Sequence, residues 1–215
     1  MKFLYAYENE PVSGLTHFIG FLLAIAGLVL LVTFAARTGT VWHVIGFAVF
    51  GASMVLLYFT SSLYHFFPVT HRAKKYLQRV DHAMIFLMIA GTYTPLCLIT
   101  LRGPWGWSLF GVIWALALIG IAWKALHTKD HWLSTVLYIV MGWLAVIAIA
   151  PLRAALQPAA LWWLFSGGIF YTVGAVIFHF SHIRHSKWLG MHEVWHVFVL
   201  AGNFCHFWLL LRYVL

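Results

Sequence analysis

The chain has 215 residues, 63% of them hydrophobic and 8% charged, with a formal net charge of +8 and a mean hydropathy of +0.91. This balance excludes a soluble globular domain of such length and identifies an integral membrane protein. The charge calls for no nucleic-acid partner, because basic loops against an anionic leaflet account for it.

Hydrophobic stretches run over residues 14–36, 42–67, 80–100, 105–124, 133–150, 159–182 and 191–213. Each is long enough as a helix to cross about 30 Å of hydrocarbon. They predict an all-α, single-domain bundle of seven transmembrane helices spanning 1–215. Pro11, Pro68, Pro104, Pro151 and Pro158 fall at or beyond the ends of these stretches, and Pro95 lies inside one, as expected where a missing amide donor is tolerated. Residues 1–10 lack the charged start, short apolar core and cleavage site of a signal peptide, so the first span is expected to insert uncleaved.

The loops carry their basic residues unevenly. Lys2, Arg72, Lys74, Lys75, Arg79, Lys124, Lys129, Arg184 and Lys187 fall on the side of the amino terminus, against Arg37, Arg102, Arg153 and Arg212 on the other. The positive-inside rule therefore predicts a cytoplasmic amino terminus and an external carboxyl terminus.

Taken in chain order, polar residues then mark particular spans. His17 lies near the cytoplasmic end of the first, as a polar packing contact or an outer partner to a site. The second ends with Ser61-Ser62-Leu63-Tyr64-His65, where the i,i+4 spacing puts Ser61 and His65 on one face. The third opens with Asp81, beside His82, which is expected to point elsewhere. The sixth carries Gly167, Gly168 and Gly174, suited to close helix contact, and runs off into His179, His182 and His185, read as a basic interfacial stretch. His71, His127 and His131 sit in loops, and His43 on the outer side. Trp42, Trp105, Trp107, Trp132, Trp162, Trp163 and Trp188 cluster near span ends as an aromatic belt does. Cys97 and Cys205 lie within spans and offer neither a disulfide framework nor a CxxC motif.

The seventh span opens with His192-Glu193-Val194-Trp195-His196. Ionisable groups in lipid cost a few kcal/mol or more, roughly, and are functional by default. Two histidines at i and i+4 share a helix face and offer two nitrogen ligands to a metal. Of the five acidic residues only Asp81 and Glu193 lie at or inside span ends. Three helices thus bring Ser61, His65, Asp81, His192 and His196 to one level. Catalytic Zn²⁺ takes three protein ligands and leaves one position for water, and His65, His192 and His196 fit that set. Asp81 suits proton acceptance and Ser61 the orientation of a nucleophile or oxyanion. The string His-Glu-x-x-His places a general base in soluble metalloproteases. Here Glu193 points about 100° away from His192 and is read as a favourable charge at a helix amino terminus, with contact to the metal's water as the alternative. His206 is expected to donate a hydrogen bond between helices.

The Ser-x3-His of the second span, the Asp opening the third and the His-x3-His opening the seventh resemble the progestin and adipoQ receptor superfamily. Ser61 to His65, Asp81-His82 with Ala90-Gly91-Thr92-Tyr93-Thr94-Pro95, and Trp195-His196 with Cys205-His206-Phe207 are similar to its bacterial hemolysin III branch. The resemblance covers essentially the whole chain. It implies a zinc ion on His65, His192 and His196 near the cytoplasmic face of a bacterial inner membrane, with Asp81 and Ser61 beside it. Adiponectin receptors and alkaline ceramidases in the wider superfamily imply hydrolysis of a lipid amide, with membrane lipids as partners and a lipid or acyl substrate. Two alternatives remain, a lipid-sensing protein whose zinc turns nothing over, and a membrane-permeabilising protein as the branch name implies.

Overall fold

The computed structural model describes residues 11–67, 70–126, 132–179 and 190–215, apart from the side chain of His71. The expectations for His127, His131, His182, His185, Trp188 and the amino-terminal segment lie outside the described residues. The chain forms α1 (Pro11–Thr38), α2 (Val41–Phe66), α3 (His71–Pro95), α4 (Pro104–Leu126), α5 (Trp132–Trp143), α6 (Ile149–Ala155), α7 (Pro158–His179) and α8 (Met191–Leu209). Seven helical segments are long and apolar enough to cross a membrane, the fifth being α5 and α6 joined end to end. No strand occurs among the described residues.

Helix α1 shows how an almost wholly apolar sequence still chooses a face. Its buried residues are Ser13, Gly14, His17, Gly20, Ala24, Gly27, Leu31 and Ala35, one stripe at helical spacing in which six of the eight are small. Small residues let helix backbones approach where lipid offers no hydrophobic drive for association. Leu23 and other large residues on the remaining faces are exposed, as lipid contact requires. On α2, a Cβ at Gly51 would lie 3.0 Å from the Cα of Leu28, so the α1–α2 contact depends on that glycine. Gly167 and Gly174 of α7 do the same for α8, seating His206 in one case and Trp195 and Phe198 in the other.

The second, third and seventh spans are the most buried, at 50%, 61% and 44% of their apolar windows, against 22% for each of the others. These three carry every candidate site residue. The third begins earlier than hydrophobicity predicts. Residues 71–79 are too polar to register as a span, yet they continue the helix, so Asp81 lies nearly three turns inside α3. Lys74 explains part of this. Its ammonium donates to the carbonyl of Tyr64 at the end of α2 and sits 4.6 Å from the centre of the Tyr64 ring, a favourable cation at a helix carboxyl end.

Two irregularities follow from backbone chemistry. Pro95 removes an amide donor, and the next residues, Leu96–Thr100, wind as a π-turn closed by Leu101 N–H to Leu96 O at 2.8 Å. The fifth span tightens into a 3₁₀ segment at Leu144–Ala148 and continues past 150, the expected end, as α6. Pro151 therefore lies inside this span, in the first turn of α6, where its missing N–H costs nothing. Backbone groups freed within hydrocarbon must find partners. Tyr93 of α3 supplies both, its hydroxyl donating to Gly142 O at 2.8 Å and accepting from Ala145 N–H at 2.8 Å.

At the other ends the chain is also tied. His43 accepts from the Thr40 N–H at 3.1 Å through Nδ1 and so donates through Nε2 to Val214 O at 3.1 Å. Trp105, Trp107, Trp132 and Trp162 are exposed near helix ends. Cys97 and Cys205 are buried free thiols. Tyr93→Phe is expected to leave two buried backbone groups unpaired and cost about 1–3 kcal/mol. Unfolding in mixed micelles checks it, and an unchanged midpoint would show that the break needs no such brace.

Candidate metal centre

One end of the bundle carries Arg72, Lys74, Lys75, Arg79 and Lys124 and is called here the basic end. At that end α2 finishes and α8 begins. The ring of His65, 1% exposed, meets those of His192 and His196 at centroid distances of 4.9 and 5.0 Å, and His192 and His196 stand 4.7 Å apart. One nitrogen from each ring falls within 4.8 Å of the others, so the group can hold a metal ion. The Nε2 atoms of His65 and His192 are 3.3 Å apart. Two ligands bonded at 2.0–2.1 Å with tetrahedral geometry stand about 3.3 Å apart, so the donor set fits.

The third ring is oriented by α1, through residues other than the His17 that the sequence offers as an outer partner. His196 Nδ1 lies 3.1 Å from the backbone carbonyl of Ser13 and 3.3 Å from Thr16 Oγ1. A histidine that donates its Nδ1–H to a carbonyl presents Nε2 as the ligand, the usual outer support of a metal-binding imidazole. Ser13 also donates through its hydroxyl to Glu193 Oε1 at 2.8 Å. The other oxygen, Glu193 Oε2, accepts the Gly190 N–H at 2.7 Å. Both carboxylate oxygens are thus engaged in capping α8 and joining it to α1, which favours the helix-terminus reading of Glu193 over contact with a metal's water. A sequence signal for Ser13 and Thr16 did exist. Together with His17 they are the polar residues opening an otherwise apolar helix.

Ser61, Asp81, His192 and His196 line one cavity of about 150 Å³. Ser61 is 1% and Asp81 9% exposed. The cavity follows α8 from His192 to His206, about 21 Å at 1.5 Å per residue. Away from the basic end its wall becomes apolar, with Ile89, Leu96, Leu164 and Val199. His82, expected to point elsewhere, lines the same cavity, because the opening wraps around that turn of α3. Lys124 lines it too and is 3% exposed; sequence reading had counted it only as a loop charge.

Two further histidines are now placed. His17 stacks on His196 with centroids 3.5 Å apart and planes 7° from parallel. His206 does not make the expected hydrogen bond between helices through Nδ1, which is buried without a partner. Its ring instead stacks on Tyr171 at 5.5 Å. The hydrogen-bonded link between helices at this depth is made by Tyr171, which donates to Asn203 Oδ1 at 2.6 Å, and by Asn203, whose Nδ2 donates to Tyr58 Oη at 2.6 Å.

Seven apolar helices and a largely buried three-histidine group able to hold a metal define a multi-pass membrane protein with a candidate intramembrane metal centre. The model of the haemolysin-III-related family matches residues 5–207. The chain belongs to that family, the hemolysin III branch of the progestin and adipoQ receptor superfamily. It is 42% identical over 212 residues to the "Hemolysin-3 homolog" of Bacillus subtilis (strain 168), covering 98% of this chain and 96% of the relative. It is equally 42% identical over 210 residues to the "Hemolysin-3" of Bacillus cereus, covering 97% and 93%.

The unaltered protein is expected to bind a metal and the double variant His192→Ala, His196→Ala to bind none, measured by plasma mass spectrometry. Glu193→Gln is expected to keep that metal while losing about 1 kcal/mol of stability from the cap. Loss of metal in the glutamine variant would give Glu193 a ligand role.

Proposed function

We propose that the protein is a zinc-dependent hydrolase of a lipid amide or related acyl bond. The observation that carries this reading is a three-imidazole donor set, two of whose rings, His192 and His196, line a long, mostly apolar cavity together with a buried carboxylate and hydroxyl. His65, His192 and His196 would hold the ion. When bound, zinc supplies Lewis acidity and makes water a competent nucleophile near neutral pH.

The chain's own residues do the rest. Asp81 accepts the proton of the attacking water and returns it to the leaving amine. Ser61 donates a hydrogen bond to the carbonyl oxygen as charge develops there. The apolar stretch of the cavity takes the acyl chain and keeps bulk water from it. With the basic end toward the cytoplasm of a bacterial inner membrane, the polar head of the lipid meets the site from that face.

The names of the Bacillus relatives favour a second reading, membrane permeabilisation. Lysis of erythrocytes by purified protein, undiminished in the His192→Ala, His196→Ala variant, would establish it. For the hydrolase, incubation with C16 ceramide and other N-acylated lipids is expected to release fatty acid. Asp81→Asn should lower the rate by about 10²–10⁴-fold, the range of a lost general base. Metal retained in both proteins with no turnover in either would refute the hydrolase.

A further inference from the structure

His17 is 3% exposed and lines the cavity beside the metal-binding group. Both of its ring nitrogens are buried without a hydrogen-bond partner. Buried polar atoms are paired in the great majority of cases, and one left unmade costs about 1–3 kcal/mol. Its aromatic surroundings do not supply the missing bond. One face stacks on His196, and an edge-to-face contact meets Tyr58 at 5.1 Å and 70°.

The most economical partner, the metal itself, is excluded by geometry. An imidazole binds an ion through a lone pair in its own ring plane. The planes of His17 and His196 are 7° from parallel with centroids 3.5 Å apart, so they share no point within the bond length of about 2.0–2.1 Å. An ion ligated by His196 is therefore not ligated by His17. The side chain has donor capacity, sits at the wall of the cavity, and lies one ring thickness from a ligand.

We propose that His17 is the positioning residue for the lipid, donating a hydrogen bond to the carbonyl or hydroxyl oxygen of an N-acylated head group held beside the metal centre. An imidazole carries at least one N–H in either protonation state, so it can always serve an acceptor oxygen. Stacking on His196 fixes the ring plane, and hence the direction of that N–H relative to the reacting bond. This assignment rests on the hydrolase reading for the identity of the ligand, though its consequence for binding does not require turnover.

The test compares His17→Phe, which keeps an aromatic stack and removes both nitrogens, with His17→Asn, which keeps an N–H donor and loses the ring. Metal content, KM and kcat for C16 ceramide are measured for each. Equilibrium binding of tritiated C16 ceramide is measured in an Asp81→Asn background. The phenylalanine variant is expected to keep its metal and bind the probe about tenfold more weakly, with a matching rise in KM, as loss of one hydrogen bond entails. The asparagine variant should recover part of that loss. Equal binding and equal KM in His17→Phe would overturn the proposal, and so would loss of metal, which would make His17 a support of His196 alone. Absence of saturable probe binding by the unaltered protein would overturn it too. Binding by the unaltered protein without fatty-acid release would sink the hydrolase and leave the His17 comparison decided by the binding constants.

Discussion

Polar groups inside hydrocarbon have no water to turn to, and the basic end of this bundle is organised by that constraint. His196 enters the interior on α8 and meets the Ser13 carbonyl and the Thr16 hydroxyl of α1. Ser13 in turn engages Glu193, which caps the helix that carries His196. The first and last spans are thereby locked at one level, and the nitrogen of His196 that faces away from α1 is left for the group it shares with His65 and His192. Remove the lock and the donor set has no fixed third member. Partners of this kind set the tautomer and direction of a ligand as much as the ligand itself does.

The same constraint operates deeper in the bundle without a metal. The 3₁₀ break of the fifth span frees backbone groups that Tyr93 satisfies, and the Tyr58, Asn203 and Tyr171 chain joins α2, α8 and α7 through side-chain hydrogen bonds. These are the features that let a helix bundle keep a cavity open beside a polar site. Walls that are both irregular and satisfied do not collapse onto the space they enclose.

Much of this was legible in the sequence, and the reasons differ by residue. The seven spans followed from hydropathy, since lipid allows little else. The convergence of His65 and His192 with His196 followed from spacing and topology, because i,i+4 pairs share a face and a span's direction fixes depth. Asp81 was placed at the right end of α3 but at the wrong depth in its helix, because residues 71–79 form helix through end contacts such as that of Lys74 and not through apolar content. The fifth-span break was not legible, and the polar opening of α1 marked Ser13 without showing what it anchors. Both depend on which neighbour lies opposite, and hydropathy carries no information about that. His206 misled for a related reason, since a glycine notch at Gly167 can seat an imidazole that no hydrogen bond holds.

The central claim is a metal held by three imidazoles within the bundle. X-ray absorption at the zinc edge on detergent-purified protein tests it most directly. The account predicts three nitrogen neighbours at about 2.0–2.1 Å with the multiple-scattering signature of imidazole and one further light atom. Thiolate scatterers, or a zinc surrounded by oxygen alone, would contradict it and return His65, His192 and His196 to the packing of the interior.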